Sequence, residues 1–450
     1  MALSLPDSAL TRANYSTTQM YEVWSEKATI QSWYDVEVAL AQAQAELGAI
    51  PVSAVAAIEE AATVDDERVA EMTSRSAGHP LIIALDNLRA HMSDAGKPWV
   101  HFGATTQDIL DTGRVLQIRR ALDLIDTALA DLDAQICRFT LDHAHTVTAQ
   151  RTNGQLAVPG TLGLRGARWL SELRRDRERI NEERKRILCA QFSGAAGTYA
   201  SFGAAEESYA RKLAERLDLR FDLVTWHSSR DSYTAMMAML AVLARSLSKV
   251  SDDLFEMQRT ELREAAEVLD MHTSGSTTMP QKRNPFATLQ VTSNARLAVG
   301  SAISLLAQPA DLLERDPRQF EIERDVLPRV FTFVHKAITD LTALIPRIQI
   351  DAERLARNAR AEGPLIVTEG LMMRLAPAIG HEVAHDLLQE FAKEWLANGI
   401  TLSDFVARYP DIAEQLAGED LDALAEPDWY VGISARIAQE TAENTESSQK

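Results

Sequence analysis

Met236, Met237, Leu240, Leu243, Leu247, Val250 and Leu254 recur at three- to four-residue spacing, the spacing of one face of an α-helix. Val115, Ile118, Leu122, Ile125, Leu129, Leu132 and Ile136 repeat the pattern. Both stripes predict long helices with one buried face, and they mark core positions, not a cofactor box. From Leu164 to Cys189, Trp169, Leu170, Leu173, Ile180 and Ile187 ride on a background dense in Arg and Glu, which predicts a long helix with one solvated face. No proline falls between Pro159 and Pro280, and residues 204–274 contain neither Gly nor Pro. With so few interruptions, long helices are the simplest reading there too.

The alternation of strands and helices that marks a doubly wound sheet is missing, as is any GxGxxG. The chain reads as all-α in three helical domains: 1–111, a central bundle over 112–361 with a polar loop at 274–285, and 362–450, which ends in a polar tail from Glu440. At 450 residues, 46% apolar and 25% charged, it is an ordinary globular chain. The balance of 46 basic against 65 acidic side chains, a net charge of −19, disfavours nucleic acid and anionic membrane as partners. An anionic substrate must then be attracted locally. Two cysteines, Cys137 and Cys189, supply neither a disulfide framework nor a CxxC motif. With no leader-like N-terminus and no apolar run of about 18 residues, a cytoplasmic location is expected.

The segment Gly275-Ser276-Thr277-Thr278-Met279-Pro280-Gln281-Lys282-Arg283-Asn284-Pro285 carries the first candidate chemistry. Small polar residues precede Met-Pro, and a cation and an amide follow. Composition alone fits either a surface loop or a reactive lid. In the second case Ser276 accepts a proton, with loop amides and Lys282 stabilising its alkoxide, while Lys282 and Asn284 hold a carboxylate.

That string resembles the GSSxMPxKxNP signature of the fumarase/aspartase superfamily, and the likeness extends along nearly the whole chain. His101-Phe102-Gly103-Ala104-Thr105-Thr106-Gln107-Asp108-Ile109-Leu110-Asp111-Thr112 is similar to the HxGxTSxDxxDT of adenylosuccinate lyases and carboxymuconate cycloisomerases. The likeness implies that Thr105 and Thr106 donate hydrogen bonds to a substrate carboxylate, and it places Asp108 in the same binding motif; helix capping alone is the plainer reading. Arg151-Thr152-Asn153-Gly154-Gln155 resembles RTHGQ, with Asn153 where those lyases carry the histidine implicated as general acid. An amide cannot deliver a proton at neutral pH. His227, in Thr225-Trp226-His227-Ser228-Ser229-Arg230-Asp231, is the nearest replacement, although a histidine in such a position is more often structural. Arg230 offers a fork suited to a carboxylate.

Glu314 to Arg324 has the register of the ERDxSHSSxER run, with Arg318, Gln319, Phe320 and Glu321 in place of SHSS. Arg324 keeps its place as a substrate-binding candidate, but the hydroxyls expected near a nucleotide phosphate are gone. Near the N-terminus, Asn14-Tyr15-Ser16-Thr17 stands where adenylosuccinate lyases have RYSR, which removes two cations. His381-Glu382-Val383-Ala384-His385 is formally the HExxH of zinc hydrolases, but nothing around it extends that motif, so no metal is assigned.

The resemblance implies anti β-elimination from a small dicarboxylate, without cofactor, in a homotetramer whose sites are shared between subunits. Ser276 would be the base and Lys282 with Asn284 the anchor for the doubly charged aci-carboxylate. Thr105, Thr106, Thr152 and Arg230 would hold the substrate's carboxylates. Lacking the histidine at 153, the enzyme is expected to expel a group that needs no protonation, so cleavage of 2-nitrosuccinate to fumarate and nitrite, a carbon–nitrogen lyase reaction, is the favoured expectation. Lactonisation of 3-carboxy-cis,cis-muconate and adenylosuccinate cleavage are the alternatives from the same superfamily. A non-catalytic structural homologue and a zinc hydrolase are the readings from other classes.

Overall fold

The computed structural model describes residues 5–74, 78–268, 278–279, 281–309 and 312–444. The elements that carry the argument are α1 (Glu26–Glu46), α2 (Pro80–Ala90), α3 (Thr106–Asp142), β1 (Val147–Thr152), β2 (Gln155–Thr161), α4 (Leu162–Ile187) and α5 (Ala204–Arg216). They continue with α6 (Asp231–Met257), β3 (Ala265–Glu267), α7 (Phe286–Leu306), α8 (Pro317–Leu344), β4 (Ile348–Ile350), α9 (Thr368–Ile379) and α10 (His381–Asn398). The fold is all-α. The strands among the described residues form two small antiparallel pairs, β1 with β2 and β3 with β4.

The predicted stripes are the cores of their helices. Along α6, Met236, Met237, Leu240, Leu243, Leu247, Val250 and Leu254 are all buried, and so are Val115 through Ile136 of the stripe on α3. On the Arg- and Glu-rich α4, Trp169 is fully buried, donates its indole N–H to Asp253 Oδ2 at 2.7 Å and stacks on Phe139.

The Gly- and Pro-free stretch is not one run of helix. α5 stops at Arg216, α6 starts at Asp231, and β3 follows α6 after a turn. Asp218, two residues past the end of α5, and Arg263, in the turn between α6 and β3, both sit at φ 52°, so residues other than glycine bear the left-handed conformation in these breaks. Glu440 to Glu443, expected as tail, belongs to the helix Ser434–Glu443, where Arg174 donates to the carbonyls of Thr441 and Asn444 at 2.7 Å each.

The contacts divide the chain into two compact units. One comprises 1–130, 175–248 and 290–340; its core packs α1 against α2 and α5 through Trp33, Tyr34, Leu40, Leu85 and Leu213. The other comprises 131–174, 249–289 and 341–450, and its core brings α9 and α10 together with Ala149 of β1 around Leu371 and Phe391. No helix among the described residues is long and apolar enough to cross a membrane.

Leu243 is at 0% exposure in the middle of its stripe. Leu243→Ala is expected to destabilise the protein by about 2–5 kcal/mol through lost burial and an unfilled cavity, read as a lowered midpoint of thermal unfolding.

Candidate functional site

In the first unit the site begins at the turn into α3. His101 takes φ 63° and Gly103 φ 76°; a Cβ on Gly103 would lie 2.1 Å from the ring of Phe202, so only glycine fits this close approach. His101 is pinned by Glu37 on α1, whose carboxylate accepts from the backbone N–H at 2.9 Å and from Nδ1 at 2.7 Å. Burial works against a charged ring there, but the hydrogen bond and charge of Glu37 prevail and raise the His101 pKa above its ordinary 6.5.

α3 then starts with half of a capping box. The Thr105 N–H donates to Asp108 Oδ2 at 3.0 Å, three residues into the helix. Asp108 is fully buried and also accepts from the backbone N–H groups of Ser193 and Gly194 at 3.3 Å and from His227 Nε2 at 2.9 Å. Four donors therefore converge on Asp108, expected from the sequence among the substrate ligands. It organises the loops around the helix start and has no room to receive a substrate. His227 is likewise fully buried, with Nδ1 on Thr225 Oγ1 at 3.0 Å. Both ring nitrogens being engaged, His227 is a packing element of this cluster in this structure, not a proton donor facing a cavity.

Arg230 corrects a second expectation. Its fork is closed on the protein's own carboxylates: Nη1 and Nη2 donate to Asp111 at 2.8 and 3.0 Å, Nε donates to Glu323 Oε1 at 2.8 Å, and Nη2 also meets Glu323 Oε2. Arg114 adds a second cation, donating to Glu323 Oε2 at 2.8 Å. Two arginines and two carboxylates thus balance in a cluster withdrawn from water. Burial opposes the charge on Arg230, but Asp111 and Glu323 outweigh it and raise its pKa. Tyr233 lies under the same guanidinium, 4.5 Å from ring centre to charge, and burial followed by the charge of Asp111 pushes its hydroxyl pKa up.

Thr105 and Thr106 head α3 as expected, both half-buried. The Thr105 hydroxyl accepts from Arg315 Nη2 at 2.9 Å, and that same nitrogen donates to Ala195 O at 2.9 Å. On α8, Arg318 folds back on Asp316 with Nε 2.9 Å from Oδ1, and Arg324 Nη1 meets Glu321 at 3.0 Å. Arg324 lines a 440 Å³ cavity.

The second unit carries the other motifs. Thr152 and Gln155 close a hairpin whose two turn residues, Asn153 at φ 52° and Gly154 at φ 78°, are both left-handed, as a type I′ turn requires. Thr152 and Asn153 are exposed at its tip. Behind them the Arg151 guanidinium reaches the buried Glu264, with Nη2 at 2.5 Å from Oε1, and Asn358 donates to the same oxygen at 2.9 Å. Lys282 is exposed and Asn284 half-buried just ahead of α7. The start of α7 is held by Glu267, which accepts from the N–H groups of Ala287 and Thr288 at 3.1 and 2.9 Å, a carboxylate on the positive end of a helix. Ser276 lies outside the described residues. His381 and His385 sit in the first turns of α10, and no group of three metal-ligating side chains occurs among the described residues.

Sequence reading missed Glu37, Arg114, Glu264 and Glu267, because each meets its partner from another stretch of chain. Asp111, Arg315 and Glu323 stand inside quoted motifs without having been singled out. The hairpin was readable: Asn-Gly between two β-prone runs is a strong turn signal.

A family model described as "Lyase" matches residues 11–300, and one described as "Adenylosuccinate lyase C-terminus" matches residues 364–441. The chain is 30% identical to the N-acetyl-S-(2-succino)cysteine lyase of Dickeya dadantii (strain 3937), over 98% of this chain and 97% of the relative. It is 34% identical to the 3-carboxy-cis,cis-muconate cycloisomerase of Pseudomonas aeruginosa, over 95% and 94%. The crystal structure of a fumarate lyase from Mesorhizobium sp. BNC1 superposes with a TM-score of 0.87 at 32% identity, covering 96% of this chain and 99% of that one.

Glu323→Gln keeps the shape of the side chain but leaves Arg114 and Arg230 with one carboxylate between them. A loss of about 3–5 kcal/mol is expected for the uncompensated buried charge, measurable by denaturant titration. A second expectation concerns pH. Because the folded-state pKa of His101 is raised, its contribution to stability is fully present below the unfolded value near 6.5 and is lost as pH rises through the higher folded value. Unfolding midpoints should fall over that window in the wild type, and Glu37→Gln should flatten this part of the profile.

Proposed function

Because the chain belongs to the fumarase/aspartase superfamily, in the subgroup of the adenylosuccinate lyases and 3-carboxy-cis,cis-muconate cycloisomerases, we propose that it eliminates fumarate from a 2-substituted succinate whose leaving group departs as a stable anion. The observation that carries this reading is Asn153. It occupies a left-handed turn position where Asn and Gly are the favoured residues, and its amide cannot act as an acid at neutral pH. An amine needs protonation to leave. Nitrite does not, and a thiol with a pKa of about 8.5 leaves well as thiolate.

Ser276 serves as the base that removes the proton beside one carboxylate, and Lys282 with Asn284 stabilises the resulting dianion. The hydroxyls of Thr105, Thr106 and Thr152 bind the carboxylates. Arg230, Asp108 and His227 position Thr105 and Thr106 from behind. Arg324 stands toward the leaving group, where Phe320 and Glu321 give a nucleotide phosphate no hydroxyl to bind. The enzyme works as a cytoplasmic homotetramer in which several subunits contribute to each site; the exposed hairpin tip at Thr152 and Asn153 supports that reading.

Within this class, 2-nitrosuccinate is the smallest candidate, and the likeness to a succinocysteine lyase over 98% of the chain favours a thioether. Lactonisation of 3-carboxy-cis,cis-muconate is the second reading, favoured by the 34% identity to a cycloisomerase. A screen at the fumarate absorbance band with 2-nitrosuccinate, N-acetyl-S-(2-succino)cysteine and adenylosuccinate tests the proposal. Fumarate is expected from one or both of the first two, with Ser276→Ala lowering the rate by about 10²-fold or more. Cleavage of adenylosuccinate alone would overturn it, and lactone formation from 3-carboxy-cis,cis-muconate without any fumarate would move the assignment to the second reading.

A further inference from the structure

The HExxH string on α10 has no part in the elimination chemistry. α10 begins at His381, so His381 and His385 stand four residues apart in its first two turns. Positions i and i+4 of a helix share one face, with Cβ atoms about 5–6 Å apart. That face is turned to solvent: both histidines are exposed, His385 with 58% of its side chain accessible, while Ala384 and Leu388 carry the buried face. Exposed side chains are free to rotate until one nitrogen of each imidazole meets a single ion, at about 2.0–2.1 Å for zinc.

The surroundings suit a cation. Asp386 holds a carboxylate oxygen 3.4 Å from His385 Nδ1, and a carboxylate on one ring nitrogen leaves the other, Nε2, to bind a metal. Glu382 and Asp386 put two exposed negative charges in the same turns, which offset the positive end of the helix dipole. This helix also starts without a cap: Gly380 precedes it at φ 86° and no side chain accepts from its first amides, whereas Asp351 caps the helix Ala352–Ala359 and Thr401 caps Leu402–Val406. A chelate joining the first turn to the second forms only when that stretch is helical, so it would stabilise the end that lacks a cap.

We propose that His381 and His385 form a surface chelate for a divalent transition metal, Cu²⁺ or Ni²⁺ ahead of Zn²⁺, that fastens the start of α10. The ligand count sets the metal. Two imidazoles, with no group of three ligating side chains among the described residues, make an open site completed by water, whereas zinc enzymes supply three protein ligands. Paired nitrogens completed by oxygen suit Cu²⁺ and Ni²⁺, and the general order of affinity places Cu²⁺ above both Ni²⁺ and Zn²⁺. No residue assigned to the elimination stands on α10, so the site is independent of that reading.

The test titrates NiCl₂ and ZnCl₂ by calorimetry into the full-length protein, previously dialysed against a chelator, for wild type, His381→Gln, His385→Gln and the double variant. Wild type should bind one Ni²⁺ per chain at this site, more tightly than Zn²⁺. Each single variant should lose at least about tenfold in that affinity, and the double variant no more than either single one, because a chelate needs both rings. Ni²⁺ should also raise the midpoint of thermal unfolding in wild type and leave it unmoved in the double variant, since an ion held only by the folded helix stabilises it. Unchanged Ni²⁺ affinity in either single variant would overturn the site, as would losses that simply add in the double variant, the mark of two separate one-histidine contacts. A midpoint that does not rise in wild type, or that rises equally in the double variant, would overturn the fastening of α10.

Discussion

Arg230 is held on one side by Asp111 of α3 and on the other by Glu323 of α8, and Glu323 in turn holds Arg114. Each of these four side chains is nearly or wholly removed from water, where an unpaired charge costs several kcal/mol. None can move alone. The helix starts and loops that carry Thr105, Trp226, Phe320 and Arg324 are therefore locked to one another by charge balance. Such a cluster need not add net stability over an apolar replacement; its consequence is a fixed relative placement of helices, which a reaction depending on converging donors requires.

Asp108 has the same role at shorter range. A carboxylate that accepts from Thr105 N–H, Ser193 N–H, Gly194 N–H and His227 ties a helix start to two loops drawn from 85 to 119 residues away in sequence. The threonine hydroxyls at the head of α3 thereby face their surroundings from a rigid base. Glu267 does the equivalent for α7 in the second unit, capping the helix that follows the Lys282 and Asn284 segment. In each case the residues proposed to touch substrate stand at or just ahead of a helix start that a buried or half-buried carboxylate ties down through backbone amides.

The residue at 153 illustrates how backbone and chemistry become entangled. A histidine there can act as a general acid; an asparagine before glycine makes a tighter hairpin turn and cannot. Phe320 presents a parallel case, since an aromatic ring under Arg114 in place of a hydroxyl turns a polar wall into an apolar one.

Periodicity in the chain determined the helices and their buried faces, because a stripe such as Leu240, Leu243, Leu247 is a local property of the helix itself. Likeness to long, specific motifs determined the superfamily. The ends of the helices at Arg216 and Met257 were not legible, since no glycine or proline marks them and the left-handed residues in the breaks that follow are Asp218 and Arg263. The partners of Arg230, Asp108 and His227 were decided only by the tertiary structure. Each has a functional look in isolation, and whether a guanidinium or carboxylate is available to a ligand depends on partners such as Glu323 and Ser193 that lie some 90 residues away along the chain, a separation no local pattern records.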